Sequence, residues 1–383
     1  MEYSHLDIIV FLACMMIIVE YLERAALFEH LVATLARWAC RGAYSLITLL
    51  TFLTAVFSSL VGVVTAALFM VPMAMEVALR YSIDPAPLVM LVVFAANIGS
   101  CATVVGNPVG IIVAMKGGFT FFDFLEWVTP ISVLSLALAI GICLLFFRKY
   151  VRELDAKLKA ERLRPEAEER RESMLTCWLV FLGTVAGIAL HHQIEELAGL
   201  ERNSMLIGVP LISASLVLLV EKERARELVE RRIDWWTLIF FMMLFASVGS
   251  LEYVGLTGLM AETISRVPAS RALLLALFVI FVGALSAFLD NVLAVAALAP
   301  VAGELAACGI DPTPFWWALL VSGTFFGNLT LIGSTANMVA VGMLERRRLK
   351  YVTFCEWLKL GVIVTVPTVS AATVLLILRA GLL

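Results

Sequence analysis

Asn97–Gly110 reads NIGSCATVVGNPVG and Gly327–Asn337 reads GNLTLIGSTAN, and each is a glycine-rich polar break in a long apolar stretch. Pro108 removes a backbone donor and disfavours helix at the residue before it, while the glycines permit conformations closed to other residues. A helix that breaks in mid-membrane leaves free carbonyls and amides, which are tolerated only in the protein interior or in a wet cavity. Two such breaks predict a binding site near the membrane midplane.

The composition around these breaks is that of a membrane protein. Of the 383 residues, 62% are hydrophobic and 15% are charged, and the mean hydropathy is +0.98. Residues 85–115 carry no charge, and residues 43–79 carry only Glu76. Because a helix of about 20 apolar residues matches the hydrocarbon core, the chain is predicted to be an all-α polytopic membrane protein. A soluble protein is excluded.

An internal repeat organises the chain. Ile83–Pro87 (IDPAP) matches Ile310–Pro314 (IDPTP), and the TVVG and TLIG segments within the two breaks match at the same offset of 227 residues. An ordered series at one offset predicts a duplication. The predicted domains are repeat unit 1 (5–148), a charged linker (149–174), a connecting transmembrane hairpin with a basic loop (175–231) and repeat unit 2 (232–380).

Basic clusters set the expected orientation of the repeats. Residues 148–174 hold nine Lys and Arg, and a second basic cluster spans residues 222–232. The positive-inside rule predicts that both lie in the cytoplasm, on the inner face of the cell (plasma) membrane, with the linker forming a solvated helix. The segment ERRRLK (345–350) is basic while its counterpart around Lys116 is not. Equivalent loops are therefore expected on opposite sides, which predicts two inverted-topology repeats.

Each repeat also contains an apolar stretch that small or polar residues interrupt. These stretches are Ser58–Pro72 (SSLVGVVTAALFMVP) and Ser286–Pro300 (SAFLDNVLAVAALAP). Each length fits a re-entrant helical hairpin, although two complete spans joined by a kink fit as well. Alignment on the two prolines sets Gly62 and Val63 against Asp290 and Asn291 at the tips. Two serines near the starts of these stretches are further polar candidates: Ser59 and Ser286.

Asp290 is the sharpest functional candidate, because long apolar stretches flank it on both sides. A carboxylate at the bilayer centre costs about 2.5–3.5 kcal/mol on insertion scales, and such residues mark ion or proton pathways. One carboxylate that binds either a proton or a cation suits an antiporter. The alternative is a structural hydrogen bond to a neighbouring helix break. Glu20, near the end of its helix, is a secondary candidate that could instead extend to the interface. Trp357 beside Glu356 is read as an interfacial anchor.

ANIGSCATVVGNPVG, SAFLDNVLAVAALAP and GNLTLIGSTAN together resemble the signature segments of the ion transporter superfamily. The branch most similar is the ArsB/NhaD type, which contains arsenite efflux permeases, sodium/proton antiporters and the P protein. The resemblance implies two inverted repeats, each with a re-entrant hairpin and a broken transmembrane helix, and a site between tips and breaks. The residues that it implies for this site are Asp290, Asn291, Asn97, Thr103, Gly106, Asn107, Pro108, Asn328, Thr330, Gly333, Ser334 and Asn337.

The chain departs from the superfamily pattern in three places. Gly62 and Val63 stand where relatives commonly have a polar pair, so one half of a symmetric ion site is expected to be lost. Gly110 stands where an asparagine is usual, while its repeat partner Asn337 keeps the amide. The usual N-terminal helices are also absent before Leu6, so the tail 1–5 is expected outside the cell.

The expected function is secondary active transport of a small inorganic ion. The resemblance favours a proton-coupled antiporter of the Na+/H+ or arsenite efflux type, with Asp290 as the coupling carboxylate. No enzyme activity, cofactor, metal site or nucleic acid partner is expected beyond the coupling ion, H+ or Na+. A sodium-coupled anion or dicarboxylate symporter and a non-transporting scaffold are the alternatives. Gly183 and Gly187 form a GxxxG pattern, a weak cue for helix packing or a homodimer.

Overall fold

The computed structural model describes residues 6–24, 42–160, 174–201, 204–347 and 352–382. The predicted outer tail, linker residues 161–173 and residues 348–350 of the basic ERRRLK segment lie outside these ranges. Helices, turns and loops account for every described residue, so the all-α prediction is confirmed. In chain order the longer α-helices are α1 (Leu6–Arg24), α2 (Ala43–Val61), α3 (Val63–Arg80), α4 (Ala86–Ser100), α5 (Pro108–Gly117), α6 (Phe121–Trp127), α7 (Thr129–Phe146), α8 (Arg148–Ala160), α9 (Met174–Ala189), α10 (His191–Ala198), α11 (Ser204–Val220), α12 (Trp235–Tyr253), α13 (Leu256–Ser265), α14 (Arg271–Phe288), α15 (Asn291–Glu304), α16 (Thr313–Phe325), α17 (Thr335–Arg346) and α18 (Phe354–Arg379). Short helical turns at Ala225–Glu227 and Leu228–Arg232 lie between α11 and α12.

Within the described ranges, six helices are long and apolar enough to cross a membrane: α2, α3, α7, α12, α14 and α18. The number rises to eight if two bent pairs each count as one span. These pairs are α5 with α6, bent by 108°, and α9 with α10, bent by 66°. The protein is therefore polytopic, as its composition predicts.

The contacts divide the described helices into two compact units. Unit A contains α1 and α9–α12, and unit B contains α2–α5, α7, α8 and α13–α18, while α6 is divided between them. In unit A, α1 packs against α11 and α12, and α9 packs against α11. Gly187 of α9 allows this helix to pack closely against α11, because a Cβ at this position would lie 2.6 Å from a methyl of Val209. These two units do not coincide with the two sequence repeats, because each unit contains helices from both repeats.

Unit B contains both hairpins. In the first, α2 and α3 pack together and a single residue, Gly62, joins them with φ +100°, a region that glycine enters without steric cost. In the second, α14 and α15 are joined by Leu289 and Asp290 in extended conformation. The arms run over 43–80 and 271–304, so the predicted hairpin segments cover only the tips and the start of the second arms. The arms are uniformly apolar, and nothing in that pattern marks where they begin.

Unit B also contains both broken helices, which confirms that prediction. The first break separates α4 from α5 and includes a 3-10 turn at Val104–Gly106. Asn107 caps α5, because its Oδ1 accepts a hydrogen bond from the Gly110 N–H at 2.8 Å. The second break separates α16 from α17 and begins with a 3-10 turn at Phe326–Asn328.

The linker begins with α8, whose one face is buried against α2 at Val151 and Leu154. The charge content predicts a solvated helix, and this prediction is wrong for the face of α8 that packs on α2. Asp155 Oδ1 accepts a hydrogen bond from the Ala43 N–H at 3.0 Å and so satisfies a free donor at the start of α2. Hydrogen bonds from the Lys159 ammonium and from that N–H hold the pKa of Asp155 below its ordinary value.

Candidate functional site

Equivalent serines tie each hairpin to the helix that breaks beside it. Ser58 Oγ donates to the Ala96 carbonyl at 2.6 Å, and Ser286 Oγ donates to the Gly323 carbonyl at 2.6 Å. Both serines are fully buried. Because the bonds join equivalent positions of the two repeats, both hairpins are held against their broken helices in the same way.

Equivalent threonines make a second tie, from each break back to its hairpin. Thr103 Oγ1 donates to the Ser59 carbonyl, and Thr330 Oγ1 donates to the Ala287 carbonyl. Ser59 takes part through its backbone, since its own hydroxyl donates to Val56 within α2 at 2.8 Å. The two threonines and Ser286 therefore position the tips, whereas the Ser59 side chain does not.

Glycine is required where the broken segments fold back on themselves. A Cβ on Gly106 would lie 2.1 Å from the Ser100 carbonyl oxygen, well inside any normal contact. A Cβ on Gly333 would lie 3.0 Å from the Gly327 carbonyl oxygen and 3.2 Å from that of Ala287. These two predicted residues shape the backbone of the site, and Pro108 does the same as the first residue of α5.

Four predicted residues form one buried cluster around Asn97. The Asn97 Nδ2 donates to Asn328 Oδ1 at 2.8 Å and to Asn337 Oδ1 at 3.0 Å, while its Oδ1 accepts from Ser334 Oγ at 2.9 Å. All four side chains are at most 1% exposed. Asn97 belongs to the first repeat and its three partners to the second, so this cluster joins the two breaks.

In each break one asparagine side chain donates hydrogen bonds to backbone carbonyls that the end of the helix leaves free. Asn337 Nδ2 donates to the carbonyls of Gly327 and Thr330 at 2.7 and 2.8 Å. In the first repeat Asn107 Nδ2 donates to the carbonyl of Ser100, the equivalent of Gly327, at 3.2 Å. The two asparagines occupy positions one helical turn apart, yet they satisfy the same kind of free carbonyl.

Asp290 links the second hairpin tip to the second break. Its Oδ1 accepts from the Val292 N–H at 2.9 Å and caps α15, while its Oδ2 accepts from Thr335 Oγ1 at 3.0 Å. Thr335 is the first residue of α17, so the half-buried carboxylate lies where two helices begin. Helix N-termini favour negative charge, which makes this a suitable place for a carboxylate. The neighbouring Asn291 is buried as the first residue of α15.

Two contributing residues escaped the sequence reasoning. Thr335 directly follows the predicted Ser334, and only the fold reveals that its hydroxyl reaches Asp290. Trp357, read as an interfacial anchor, is fully buried in unit B. Its Nε1 donates to the Asn328 carbonyl at 3.2 Å, and its ring packs edge-on against Phe94. The interfacial assignment of Trp357 is wrong, because a Trp–Glu pair marks a helix end without showing what covers it.

Glu20 lies in unit A, at the C-terminal part of α1. Its carboxylate pairs with the Arg232 guanidinium at 3.4 Å and is 14% exposed. Glu20 therefore forms an ion pair within unit A, beside the basic loop, and is not among the residues that contact one another at the tips and breaks of unit B.

The cluster in unit B is chemically a set of oxygen ligands and amide donors. Asp290 is the one acidic or basic residue in the hairpin and break segments 58–72, 97–110, 286–300 and 327–337. A carboxylate oxygen is a ligand that suits a hard cation, and a carboxylate also binds a proton. The starts of α5, α15 and α17 offer backbone donors that suit an anion.

Comparisons with known proteins agree with this architecture. A family model described as citrate transporter (CitMHS) matches residues 1–322 and 274–382. An uncharacterized transporter of Mycobacterium bovis is 34% identical over 383 residues, covering 97% of this chain and 86% of the relative. The P protein of Homo sapiens is 24% identical over 438 residues, covering 94% of this chain and 52% of that protein. The structure of the Alcanivorax borkumensis YdaH transporter has a similar fold, with TM-score 0.67 and 18% identity over 97% of this chain and 85% of that chain.

Proposed function

The chain belongs to the citrate transporter (CitMHS) family of the ion transporter superfamily, and from this premise we propose that it is a secondary active transporter coupled through Asp290. Membership of this family confirms that the motif segments are those of the ion transporter superfamily. The protein is a membrane transporter, and its family is not an enzyme family. The identities of its substrate and of its coupling ion are what we propose.

The observation that carries the proposal is the double contact of the Asp290 carboxylate. One oxygen holds the start of α15 at the hairpin tip, and the other holds Thr335 at the start of α17. A proton or cation on the carboxylate competes with these two bonds. Occupancy of Asp290 therefore alters both the hairpin tip and the helix break, which supports its role as the coupling group.

The substrate class that the side chains support first is a small inorganic ion exchanged against protons. The oxygens of Asp290, Asn97, Asn328 and Asn337 are ligands of the type that hard cations prefer. We propose Na+/H+ exchange or arsenite efflux as the reaction, with H+ or Na+ as the coupling ion. Location in the plasma membrane, cytoplasmic placement of 149–174 and 221–232 and a homodimer remain predictions.

The second candidate is a symporter for an organic anion of the citrate type, which the family description favours. The backbone donors at the starts of α5 and α17 support anion binding. The motif segments contain no arginine for a bidentate carboxylate contact, which argues against it. A coupling cation at Asp290 would then offset the repulsion between this carboxylate and the anion.

The test uses the purified full chain in proteoliposomes that enclose a pH-sensitive dye. Na+, Li+, K+, arsenite, antimonite and citrate are added in turn to wild type, Asp290→Asn and Asp311→Asn. Asp311 is a matched control, because its Oδ1 also accepts a hydrogen bond from a backbone N–H at the start of a helix of the second repeat, that of Thr313 at 3.0 Å, but it lies outside the site. A signal that Asp290→Asn abolishes and Asp311→Asn keeps supports the proposal. Silence with every solute, together with absent isotope uptake, would leave a non-transporting scaffold.

A further inference from the structure

The two hairpins of unit B are held differently at their outer ends, the ends that lie away from the tips. The outer end of the first hairpin consists of the start of α2 at Ala43 and the turn after α3 at Ser82. The outer end of the second consists of the start of α14 and the turn after α15, where Gly309 is equivalent to Ser82. The linker helix α8 makes hydrogen bonds to both parts of the first outer end.

At the start of α2, Asp155 of α8 supplies a cap that the hairpin itself lacks. The Ala43 N–H donates to its Oδ1 at 3.0 Å, and Gly42 before the helix has no side chain to take that role. Gly42 has φ +134°, and a Cβ there would lie 2.9 Å from the same oxygen, so glycine permits the approach of α8. The second hairpin is capped locally instead, because Ser270 Oγ accepts from the Leu273 N–H at 3.2 Å.

At the turn after α3, Lys157 of α8 makes the second bond. Its ammonium donates to the Ser82 carbonyl at 2.9 Å. Ser82 has φ +48°, and among the described residues it is the one residue other than glycine with a positive φ, a conformation that a Cβ disfavours. The equivalent Gly309 has φ +71°, which glycine adopts without that penalty. The helix α8 therefore holds the more strained of the two turns.

The other contacts of α8 agree with this placement. Val151 and Leu154 bury one face of the helix, which packs against α2. Burial and the nearby carboxylate of Asp84 raise the pKa of the Tyr150 hydroxyl, so Tyr150 lies close to the same turn. At the second hairpin α13 packs against α15, but no hydrogen bond or ion pair in the described ranges joins α13 to the start of α14 or to the turn at Gly309.

The two tips differ in how closely their side chains pack. Val61 at the first tip is 6% exposed, whereas its counterpart Leu289 at the second tip is 41% exposed. Phe288 beside it is 62% exposed. The first hairpin is thus bonded to α8 at its outer end and packed at its tip, and the second hairpin is less restrained at both places.

We propose that α8 is a strap, acting through Asp155 and Lys157, that immobilises the first hairpin and leaves the second as the hairpin that moves. The linker then makes the two repeats move unequally. Asp290 lies at the tip of the mobile hairpin, so a change in its occupancy is converted into movement there. This last consequence rests on the proposed function, whereas the strap itself does not.

Hydrogen–deuterium exchange of the purified full chain, read by mass spectrometry, tests the strap without a transport assay. Amide exchange reports the free energy of local opening, after correction for the intrinsic rate of each sequence. In wild type we expect exchange at the first outer end to be slower than at the second by about tenfold, and the first tip to be slower than the second. The peptides compared are 42–46 and 79–84 against 270–274 and 305–311 for the outer ends, and 60–64 against 288–292 for the tips.

Two variants remove the bonds of the strap one at a time. Asp155→Ala is expected to speed exchange in 42–46 by about tenfold. Lys157→Met keeps the apolar stem and should speed exchange in 79–84 by about two- to fivefold, because its bond is exposed. Arg152→Ala is the matched control, since Arg152 is exposed on the same helix and makes neither bond. Exchange in the second hairpin should stay unchanged in all three variants.

The outcomes separate local release from general loss of stability. Equal wild-type exchange at the two outer ends, or unchanged exchange of the first hairpin in both strap variants, would overturn the proposal. Faster exchange in both hairpins together would overturn it as well, because the variant would then have loosened the whole fold. None of these results concerns the Asp290 carboxylate, whose role the solute screen decides, so the two proposals can fail independently.

Discussion

Asn97 and Asn328 meet amide to amide, with 2.8 Å between Nδ2 and Oδ1, although 231 residues separate them in the chain. The bond joins the break of the first repeat to that of the second. Both side chains are excluded from solvent, so neither can exchange its partner for water. The two breaks are consequently held as one structure.

Replacement of Asn97 by alanine is expected to destabilise the protein strongly. It leaves the buried oxygens of Asn328 and Asn337 and the Ser334 hydroxyl without this partner, at about 1–3 kcal/mol for each unsatisfied group. We expect a lower melting temperature in detergent and loss of transport. Ser59→Ala is the control, because its hydroxyl bonds only to its own helix among the contacts described. Equal melting temperatures for both variants would contradict the structural role of Asn97.

Replacement of Gly106 by alanine is expected to prevent the first break from closing. The added Cβ would lie 2.1 Å from the Ser100 carbonyl oxygen, which is backbone and cannot rotate away. We expect little folded protein by size-exclusion chromatography. In contrast, Gly141→Ala on the exposed face of α7 meets open space and is expected to stabilise that helix by about 0.5–1 kcal/mol. A well-folded Gly106→Ala protein would show that the break has a different conformation.

The contact between Asp155 and Ala43 predicts a pH-dependent part of the stability. The pKa of Asp155 is lowered in the folded protein, so its contribution is complete above the ordinary aspartate pKa of about 3.9 and is lost as the pH falls through the folded-state value. Asp155→Ala should therefore melt at a lower temperature than wild type near neutral pH, and the gap should close in acid.

Glu153→Ala is the control for this prediction. Its carboxylate pairs with Lys157 on the exposed side of the same helix, where an ion pair contributes little. Its melting temperature should stay near that of wild type at both pH values. A gap between Asp155→Ala and wild type that stays constant down to acid pH would contradict the role of the Asp155 charge.

The breaks and tips could be predicted from the sequence because they depend on local chemistry. The apolar sequence is interrupted by Pro108, by the glycines around Gly106 and by the carboxylate of Asp290. The internal repeat then locates the equivalent break and tip in the other half of the chain. The network between the breaks could not be predicted, since the partners of Asn97 are fixed by tertiary packing. Contacts of Thr335 and Trp357 were missed for the same reason.

Two features of the arms show a further limit of sequence reasoning. The hairpins begin at Ala43 and Arg271, well before the segments that their polar tips pointed to. The start of α2 is fixed by Asp155, a residue of the linker that is 112 positions away. Such a cap belongs to no local pattern, whereas Ser270 caps α14 from the adjacent position.

The central claim is that Asp290 couples ion movement to transport, and gradient-driven accumulation tests it most directly. Proteoliposomes containing wild type, Asp290→Asn or Asp311→Asn receive an imposed pH or Na+ gradient, and uptake of the substrate found in the solute screen is followed with isotope. Exchange at equal concentrations is measured beside it. Wild type and Asp311→Asn should accumulate substrate against its gradient, while Asp290→Asn should not, whether or not it still exchanges. Accumulation by Asp290→Asn equal to that of wild type would contradict the account.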